Sequence, residues 1–151
     1  MNLLSIGGSD PSSGAGIQSD IKTFSTFDVH ALTVITAITG QNTSNFGIVE
    51  PVSKKMVENQ LESIISDFKI DGIKIGMVYN SEIIKTVYQY LKKLKIPIVV
   101  DPVIKSTTGG MLIKKSAISD FKKFIIPLAT IITPNKFEAE ILTKTKINSK
   151  N

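Results

Sequence analysis

Short apolar runs alternate along the chain with longer segments in which apolar residues recur at helical spacing. The runs cover residues 3–6, 31–38, 73–78, 96–100 and 129–133 and consist mainly of valine, isoleucine and leucine. Such near-continuous apolar runs are typical of strands that are buried on both faces of a parallel sheet. The alternation therefore predicts an α/β fold, in which helices cover both faces of a mostly parallel sheet.

Four segments between or after these runs carry the pattern of an amphipathic helix. The clearest is 53–68, in which five apolar residues from Val57 to Phe68 share one helical face. A second helix is predicted after Ser81, which we expect to be its N-cap. Shorter helices are predicted to begin near Ile17 and near Ile118, and the last of these is expected to stop near Pro127. The pattern predicts a single domain over residues 1–151.

The amino-acid composition limits which classes of molecule the protein is expected to bind. All 18 basic residues are lysines, and the formal net charge is +5. Arginine is the usual bidentate reader of nucleic-acid bases, so scattered lysines favour a solvated surface over a nucleic-acid interface. The chain has no cysteine, which excludes disulfides and thiolate metal sites, and no run of about 20 apolar residues that could span a membrane. These features predict a cytoplasmic protein without a membrane partner.

Polar residues, glycine or proline mark the carboxyl ends of the strands predicted from all five apolar runs. The end stretches are 7–10, 40–43, 74–77, 101–103 and 133–135. Turns favour these residue types in any protein, so one such stretch carries little information. In an open α/β sheet, however, ligands bind beyond the carboxyl ends of the strands. Five polar strand ends on one edge therefore predict a binding site along that edge.

The loop after the first run reads GGSDPSSGAGIQSD over residues 7–20. It is not a Walker A loop, because no Gly-Lys-Ser/Thr follows, and Ser19 stands where a dinucleotide fingerprint needs its third glycine. Gly14 and Gly16 nevertheless open a helix, where their small size lets a ligand approach the backbone. Asp20 lies at the border of the apolar stripe of this helix and needs a partner. Two interpretations remain open at this point: Asp20 caps or pairs with a lysine, or it accepts a hydrogen bond from a ligand.

Taken together, the motifs resemble a known family. GGSDPSSGAGIQSDIKTF, ITAITGQNT, KIGM, DPV and TPNxxEAEIL occur in this order over residues 3–142, and the set is similar to the hydroxymethylpyrimidine/phosphomethylpyrimidine kinases of thiamine biosynthesis. The resemblance implies a ribokinase-like, three-layer α/β/α fold with a mostly parallel central sheet. It also implies ATP-dependent, magnesium-dependent phosphorylation of 4-amino-5-hydroxymethyl-2-methylpyrimidine and of its monophosphate.

The resemblance also implies roles for single residues. Gln41 would hydrogen-bond the pyrimidine, since an amide offers both a donor and an acceptor. Gly8 and Asp20 would belong to the same pocket, and Met77 and Val103 would form its apolar walls. Asn135 and Glu138 would order magnesium and phosphate, with Glu138 acting on the metal mainly through water. Asp101 would lie near the cation or the phosphates; the alternative that it only caps a strand end before Pro102 stays open.

The sequence departs from the family pattern in two places. Ile104 replaces a methionine that follows DPV in many relatives, in the stretch DPVIKSTTGG. The Gly-Thr-Gly motif that carries the family's anion hole and catalytic group does not occur in residues 1–151. The resemblance therefore implies that no catalytic residue lies in this chain, that its C-terminal part is missing, and that it is an inactive, pyrimidine-binding half of a kinase domain.

Other interpretations of the same residues remain. A pyridoxal or pyridoxine kinase of the same superfamily is the nearest alternative, followed by a non-catalytic pyrimidine-binding remnant. A dinucleotide-binding domain is disfavoured by the failed fingerprint. The expected partners are a small-molecule pyrimidine and a second copy of the chain in a homodimer.

Overall fold

The computed structural model describes residues 1–106 and 109–148. Residues 107–108, in the stretch that follows Val103, and residues 149–151 lie outside the described part. The strands are β1 (Asn2–Ser9), β2 (His30–Gln41), β3 (Phe46–Pro51), β4 (Gly72–Ile75), β5 (Ile98–Val100) and β6 (Ile131–Ile132). The α-helices are α1 (Gly16–Thr26), α2 (Lys54–Asp67), α3 (Ser81–Leu91), the short α4 (Ile118–Asp120) and α5 (Lys136–Thr143).

In the described residues the strands form one sheet in the order β3-β2-β1-β4-β5-β6. All neighbouring pairs are parallel except β2 and β3. The five predicted apolar runs all contain strands, and the mostly parallel α/β sheet is confirmed. Strand β3 was not predicted, because its sequence FGIVEP contains glycine, glutamate and proline and only one of its faces packs against the protein.

Helices pack on both faces of the sheet. Leu4 and Ile6 of β1 are fully buried in the main core, together with side chains of α2, α3 and the segment 115–128. Ser5, which points to the opposite face, bonds Asp20 of α1 instead. Side chains alternate between the two faces of a strand, so α1 covers one face while α2 and α3 cover the other. This arrangement is the predicted three-layer architecture.

The structure refines the predicted helix boundaries. Helix α2 matches the prediction, and Ser53 caps it by accepting from the Met56 N–H. The predicted cap of α3 is wrong, since the cap is Asn80, whose Oδ1 accepts from the Ile83 N–H at 2.9 Å, and Ser81 is already helical. The helix predicted from near Ile118 to near Pro127 lies in a segment, 115–128, that combines 3-10, α and π turns, and Pro127 lies in its final 3-10 turn.

A β-bulge between β1 and β2 shapes the edge where ligands are expected. The pairing shifts between Gly7 and Gly8, so Thr36 of β2 has no partner on β1. The Gln60 amide of α2 compensates by accepting from the Ile35 N–H and donating to the Ile35 carbonyl. The Thr36 hydroxyl donates to the Met77 carbonyl. The bulge thus ties β2 to the segment that follows β4, and helps to bring two strand ends together.

Candidate functional site

The carboxyl ends of the parallel strands surround two adjoining cavities. The smaller cavity, of about 150 Å³, is lined by Gly8, Asp20, Gln41, Met77 and Val103, which are the five residues expected to bind a pyrimidine. The larger cavity, of about 550 Å³, is lined by Asp101, Asn135 and Glu138, which are the residues expected near phosphate. Gln41, Asp101 and Val103 line both cavities. The structure therefore brings all eight candidate residues together; their roles stay predictions.

Asp10 organises the glycine-rich loop between β1 and α1. Its Oδ1 accepts from the Ser12 N–H at 2.9 Å and from the Ser12 hydroxyl at 2.8 Å, and its Oδ2 accepts from the Ala15 N–H at 2.9 Å. The side chain of Gln18 bonds the Asp10 N–H and the Ser9 hydroxyl from the first turn of α1. A small polar side chain that bonds nearby backbone in this way fixes the loop conformation. This acid is an anchor of the loop.

These hydrogen bonds set the charge state of Asp10. Burial acts to raise the pKa of Asp10, but the bonds from Ser12 and Ala15 and the Gln41 side chain outweigh it and hold the pKa below its ordinary value of 3.8. A lowered carboxyl pKa contributes stability that is present above the unfolded-state pKa and is lost as the pH falls through the folded-state pKa. The loop is therefore stabilised at neutral pH and loosened below about pH 4.

Replacing Asp10 by asparagine tests this anchor. The new NH₂ group cannot accept from the Ala15 N–H, so we expect Asp10→Asn to lower the free energy of unfolding at pH 7 by about 1–3 kcal/mol. The difference from the parent should shrink as the pH falls below about 4 and through the lowered folded-state pKa, because Asp10 itself then takes up a proton. Urea denaturation of both proteins between pH 3 and 7 measures this difference in the free energy of unfolding. A difference that is constant across this range would contradict the ionised anchor.

Two glycines let the loop approach the strand ends. A Cβ at Gly8 would lie 2.6 Å from the Met77 sulfur, so a side chain at residue 8 would displace the end of the Met77 side chain that forms the cavity wall. Gly16 has φ +64°, and a Cβ there would lie 2.5 Å from the Gly8 carbonyl oxygen. L-residues other than glycine rarely adopt this conformation. Gly14 is different, because its nearest neighbours would be at ordinary contact distance.

The smaller cavity has one apolar wall. The buried side chains of Ala37, Met77 and Leu112 form a small cluster, against which Phe46 and Val103 pack. Leu112 comes from the segment 109–112, which returns along residues 104–106 through a bond from the Leu112 N–H to the Ile104 carbonyl. An apolar wall beside a few polar groups is the usual composition of a small-molecule site.

Of the two interpretations that the sequence left open for Asp20, the structure confirms the pairing with a lysine, and the hydrogen bond to a ligand stays a prediction. Its Oδ2 lies 3.0 Å from the Lys74 Nζ and accepts from the Ser5 hydroxyl at 2.6 Å, so it pairs with a lysine. The same carboxylate lines the smaller cavity. Asp20 therefore has a partner in the protein and still faces the space in which a ligand would bind.

Asp101 follows β5 between the two cavities. Desolvation raises the pKa of Asp101 above its ordinary value, and the negative charges of Glu138 and Asp20 add to this, while Lys74 opposes it. The Lys74 Nζ lies 4.0 Å from Asp101 Oδ2. The Asp101 N–H donates to the Ile75 carbonyl through the backbone, and the side chain is 40% exposed. Its carboxylate is thus available to a cation or to a donor in the cavities.

Asn135 and Glu138 form a capping box at the start of α5. Asn135 Oδ1 accepts from the Glu138 N–H at 3.0 Å, and Glu138 Oε2 accepts from the Asn135 N–H at 2.9 Å. Glu138 Oε1 also accepts from the Ile104 N–H at 3.3 Å. Both oxygens of this buried carboxylate are engaged by backbone donors, and the bond to Ile104 ties α5 to the segment that carries Val103.

A magnesium ion fits this donor set only as the resemblance implied, mainly through water. In residues 1–106 and 109–148 no three His, Cys, Asp or Glu side chains cluster in a way that could hold a metal ion. Magnesium usually keeps several waters and uses one or two carboxylates together with substrate phosphates. Asp101 at the cavity surface offers such a carboxylate, and Glu138 lies beside the same cavity.

The sequence analysis assigned no role to several residues that line the smaller cavity. Lys74 is the clearest, and its signal was visible as a single lysine inside the apolar run GIKIGM. Thr39 reaches the site as the last buried residue of β2, and its hydroxyl donates to the Ser9 carbonyl. Leu112 carried no sequence signal, because its position depends on its backbone bond to Ile104.

Residues 10–151 match the family model described as phosphomethylpyrimidine kinase. A hydroxymethylpyrimidine/phosphomethylpyrimidine kinase of Synechococcus elongatus is 41% identical over 139 residues, which are 92% of this chain and 53% of that protein. The crystal structure of phosphomethylpyrimidine kinase from Clostridium difficile 630 is 46% identical, with a TM-score of 0.91, over 99% of this chain and 65% of that one.

A pyridoxal kinase from Staphylococcus aureus, solved in complex with AMP-PCP and pyridoxal, is also similar. It is 35% identical, with a TM-score of 0.84, over 98% of this chain and 53% of that one. The chain thus spans about half the length of the curated relative that it matches. In the described residues no helix is long and apolar enough to cross a membrane.

Proposed function

Because this chain belongs to the phosphomethylpyrimidine kinase family, we propose that it provides the pyrimidine-binding part of a kinase in thiamine biosynthesis. The smaller cavity binds 4-amino-5-hydroxymethyl-2-methylpyrimidine or its monophosphate, and the larger cavity receives phosphate groups of ATP. The observation that carries this proposal is the convergence of Gly8, Asp20, Gln41, Met77 and Val103 on one cavity. Residues 1–151 are proposed to act as one domain.

The chemistry of the smaller cavity supports an aminopyrimidine. The Gln41 amide can donate to a ring nitrogen and accept from an amino group. The Asp20 carboxylate accepts from an N–H or O–H of the ligand, and the Met77 and Val103 side chains contact the faces of a flat ring. A cavity with an apolar wall and a few polar groups discriminates by leaving those groups unpaired when the wrong ligand binds.

The charge of the larger cavity supports a requirement for magnesium. Asp10, Asp101 and Glu138 line it, and Lys105 is the basic side chain that the described residues place there. Three carboxylates repel the phosphates of ATP unless a cation lies between them. AMP-PCP is bound by the Staphylococcus aureus pyridoxal kinase, which supports ATP as the nucleotide. When bound, magnesium would neutralise phosphate charge next to Asp101.

Replacing Gln41 by alanine tests the proposed pocket. We expect Gln41→Ala to weaken binding of hydroxymethylpyrimidine by about 1–3 kcal/mol, because a polar group of the ligand then stays buried without a partner. Calorimetric titration measures the two affinities. Gln89→Ala, which removes an exposed amide from α3, is the matched control and should bind like the parent. Equal affinities of Gln41→Ala and the parent would remove Gln41 from the pocket.

Pyridoxal is the second candidate ligand, because a similar structure contains it. Titration with pyridoxal under the same conditions separates the two candidates, since the proposed function requires tighter binding of the pyrimidine.

We also propose that the protein is a homodimer and is located in the cytoplasm. Exposed Ile38 and Ile48, on the face of β2 and β3 that points away from the cavity, support association of two copies.

A further inference from the structure

Lys74 is the charged residue of the otherwise buried strand β4, and its side chain ends between two carboxylates. Its Nζ lies 3.0 Å from Asp20 Oδ2 on α1 and 4.0 Å from Asp101 Oδ2 after β5. The Lys74 side chain is 23% exposed and lines the smaller cavity. Pairing with carboxylates stabilises an ammonium that is largely withdrawn from water. One ammonium therefore pairs with two carboxylates, Asp20 on α1 and Asp101 after β5.

The Asp20 carboxylate is held on one of its two oxygens. Oδ2 accepts from Lys74 and also from the hydroxyl of Ser5, at 2.6 Å, and Ser5 is fully buried in β1. Among the described residues no donor is bonded to Oδ1. Two donors on Oδ2 fix the rotation of the carboxylate, because a turn about the Cβ–Cγ bond would break both bonds. Oδ1 is thereby left as the acceptor for a ligand in the smaller cavity.

Gly76 gives the Lys74 side chain the room it needs. A Cβ at residue 76 would lie 2.8 Å from the Lys74 Nζ and 3.6 Å from its Cε. Gly76 is buried, and its backbone N–H donates to the Ile6 carbonyl as part of the sheet edge. An alanine at this position would meet the flexible end of a side chain and not backbone, so it would displace the ammonium without preventing the fold.

We propose that Lys74 is a positioning residue, which acts with Ser5 to hold the Asp20 carboxylate in the orientation that binds the pyrimidine. The proposal rests on the proposed function for the identity of the ligand. Without Lys74, no lysine of the described residues lies between the carboxylates of Asp20 and Asp101 beside the smaller cavity, and repulsion from Asp101 favours a rotation of Asp20 away from its present place. Gly76 is part of the same arrangement, since it keeps the ammonium within reach of both acids.

A double-mutant cycle between Lys74 and Asp20 tests the coupling. We expect Lys74→Met to weaken binding of hydroxymethylpyrimidine about tenfold. In the Asp20→Asn background the same change should weaken binding less than about twofold, because the group that Lys74 positions is already lost. Gly76→Ala, which keeps the lysine, should reproduce part of the loss. Lys74→Arg, which keeps the cation, should lose less affinity than Lys74→Met. Lys85→Met, which removes an exposed lysine of α3, is the control that should bind like the parent.

The outcomes of this cycle distinguish a positioning role of Lys74 from direct contact with the ligand. Equal losses from Lys74→Met in both backgrounds would show that Lys74 contacts the ligand directly, and this would overturn the proposal, as would unchanged affinity of Lys74→Met. A melting curve of each variant separates a loss of binding from a loss of folding.

A ligand-free measurement keeps this inference separate from the proposed function. In crystal structures of the parent and of Gly76→Ala without ligand, we expect the Asp20 carboxylate to have turned away from Ser5 in the variant. An unchanged Asp20 after displacement of the ammonium overturns the positioning role. If the parent does not bind the pyrimidine at all, the proposed function fails, while the crystal structures still decide what Lys74 does to Asp20.

Discussion

Gly16→Val is expected to lower the free energy of unfolding by about 3 kcal/mol or more. The residue has φ +64°, a conformation that a β-branched side chain essentially does not adopt. A Cβ there would also lie 2.5 Å from the Gly8 carbonyl oxygen and 3.1 Å from the Asp10 nitrogen. Both are backbone atoms at the end of β1, so the strand end or the start of α1 has to move.

Urea denaturation measures this effect, and Gly14→Ala is its control. A Cβ at Gly14 would meet the Ser12 hydroxyl at 3.5 Å and Asp10 Oδ2 at 3.8 Å, which are ordinary contacts. We therefore expect Gly14→Ala to stay within about 0.5 kcal/mol of the parent. Any Gly16→Val protein that folds should also lose affinity for the pyrimidine, because Gly16 lines the smaller cavity. A Gly16→Val protein with parental stability and affinity would show that Gly16 is only a turn residue.

The polypeptide of residues 1–151 is expected to bind the pyrimidine but to show no measurable ATP-dependent phosphorylation of it. Phosphoryl transfer depends on donors that stabilise negative charge on the transferring group. At the larger cavity the Ala15 N–H at the start of α1 is bonded to Asp10, and the Asn135 N–H before α5 is bonded to Glu138. The chain contains no arginine. The resemblance assigns charge stabilisation to a Gly-Thr-Gly helix, a motif that residues 1–151 do not contain.

An assay of ADP release tests this expectation directly. It contains hydroxymethylpyrimidine, magnesium and ATP, and the kinase of Synechococcus elongatus serves as the positive control under the same conditions. Turnover by residues 1–151 near the ordinary range of about 1–10 s⁻¹ would contradict the expectation. Calorimetric binding of the pyrimidine by the same sample shows that the polypeptide is folded and that the assay has tested the chemical step.

The apolar pattern predicted the sheet well because burial on both faces leaves a local signal. The run that contains Leu4 and Ile6 is read as a strand from composition alone. Strand β3 was not predicted, because Ile48 and Glu50 are exposed and apolar residues do not alternate regularly along it. The cap of α3 was misplaced by one residue, since Asn80 and Ser81 are both good caps and only backbone geometry distinguishes them.

The candidate site also has a part that local sequence predicts and a part that depends on the tertiary fold. Residues at strand ends, such as Gln41 and Asp101, were predictable because parallel strands deliver their carboxyl ends to one edge. Pairings across the fold were not, since the distance from Lys74 to Asp20 depends on how α1 packs on the sheet, 54 residues away in sequence. Glu138 was expected near metal and phosphate, but its two bonds to backbone N–H groups depend on the folded loop around Ile104.

The fixed conformation of the glycine-rich loop between β1 and α1 affects both the rate and the free energy of ligand binding. Its backbone is already fixed by bonds to Ser12, Ala15 and Gln18, all made within residues 9–18. A preorganised wall loses little conformational entropy when a ligand arrives, because that entropy was lost when the protein folded. Association with this side of the cavity therefore needs no ordering of the loop, and differences in affinity between ligands should appear mainly in how fast each one leaves.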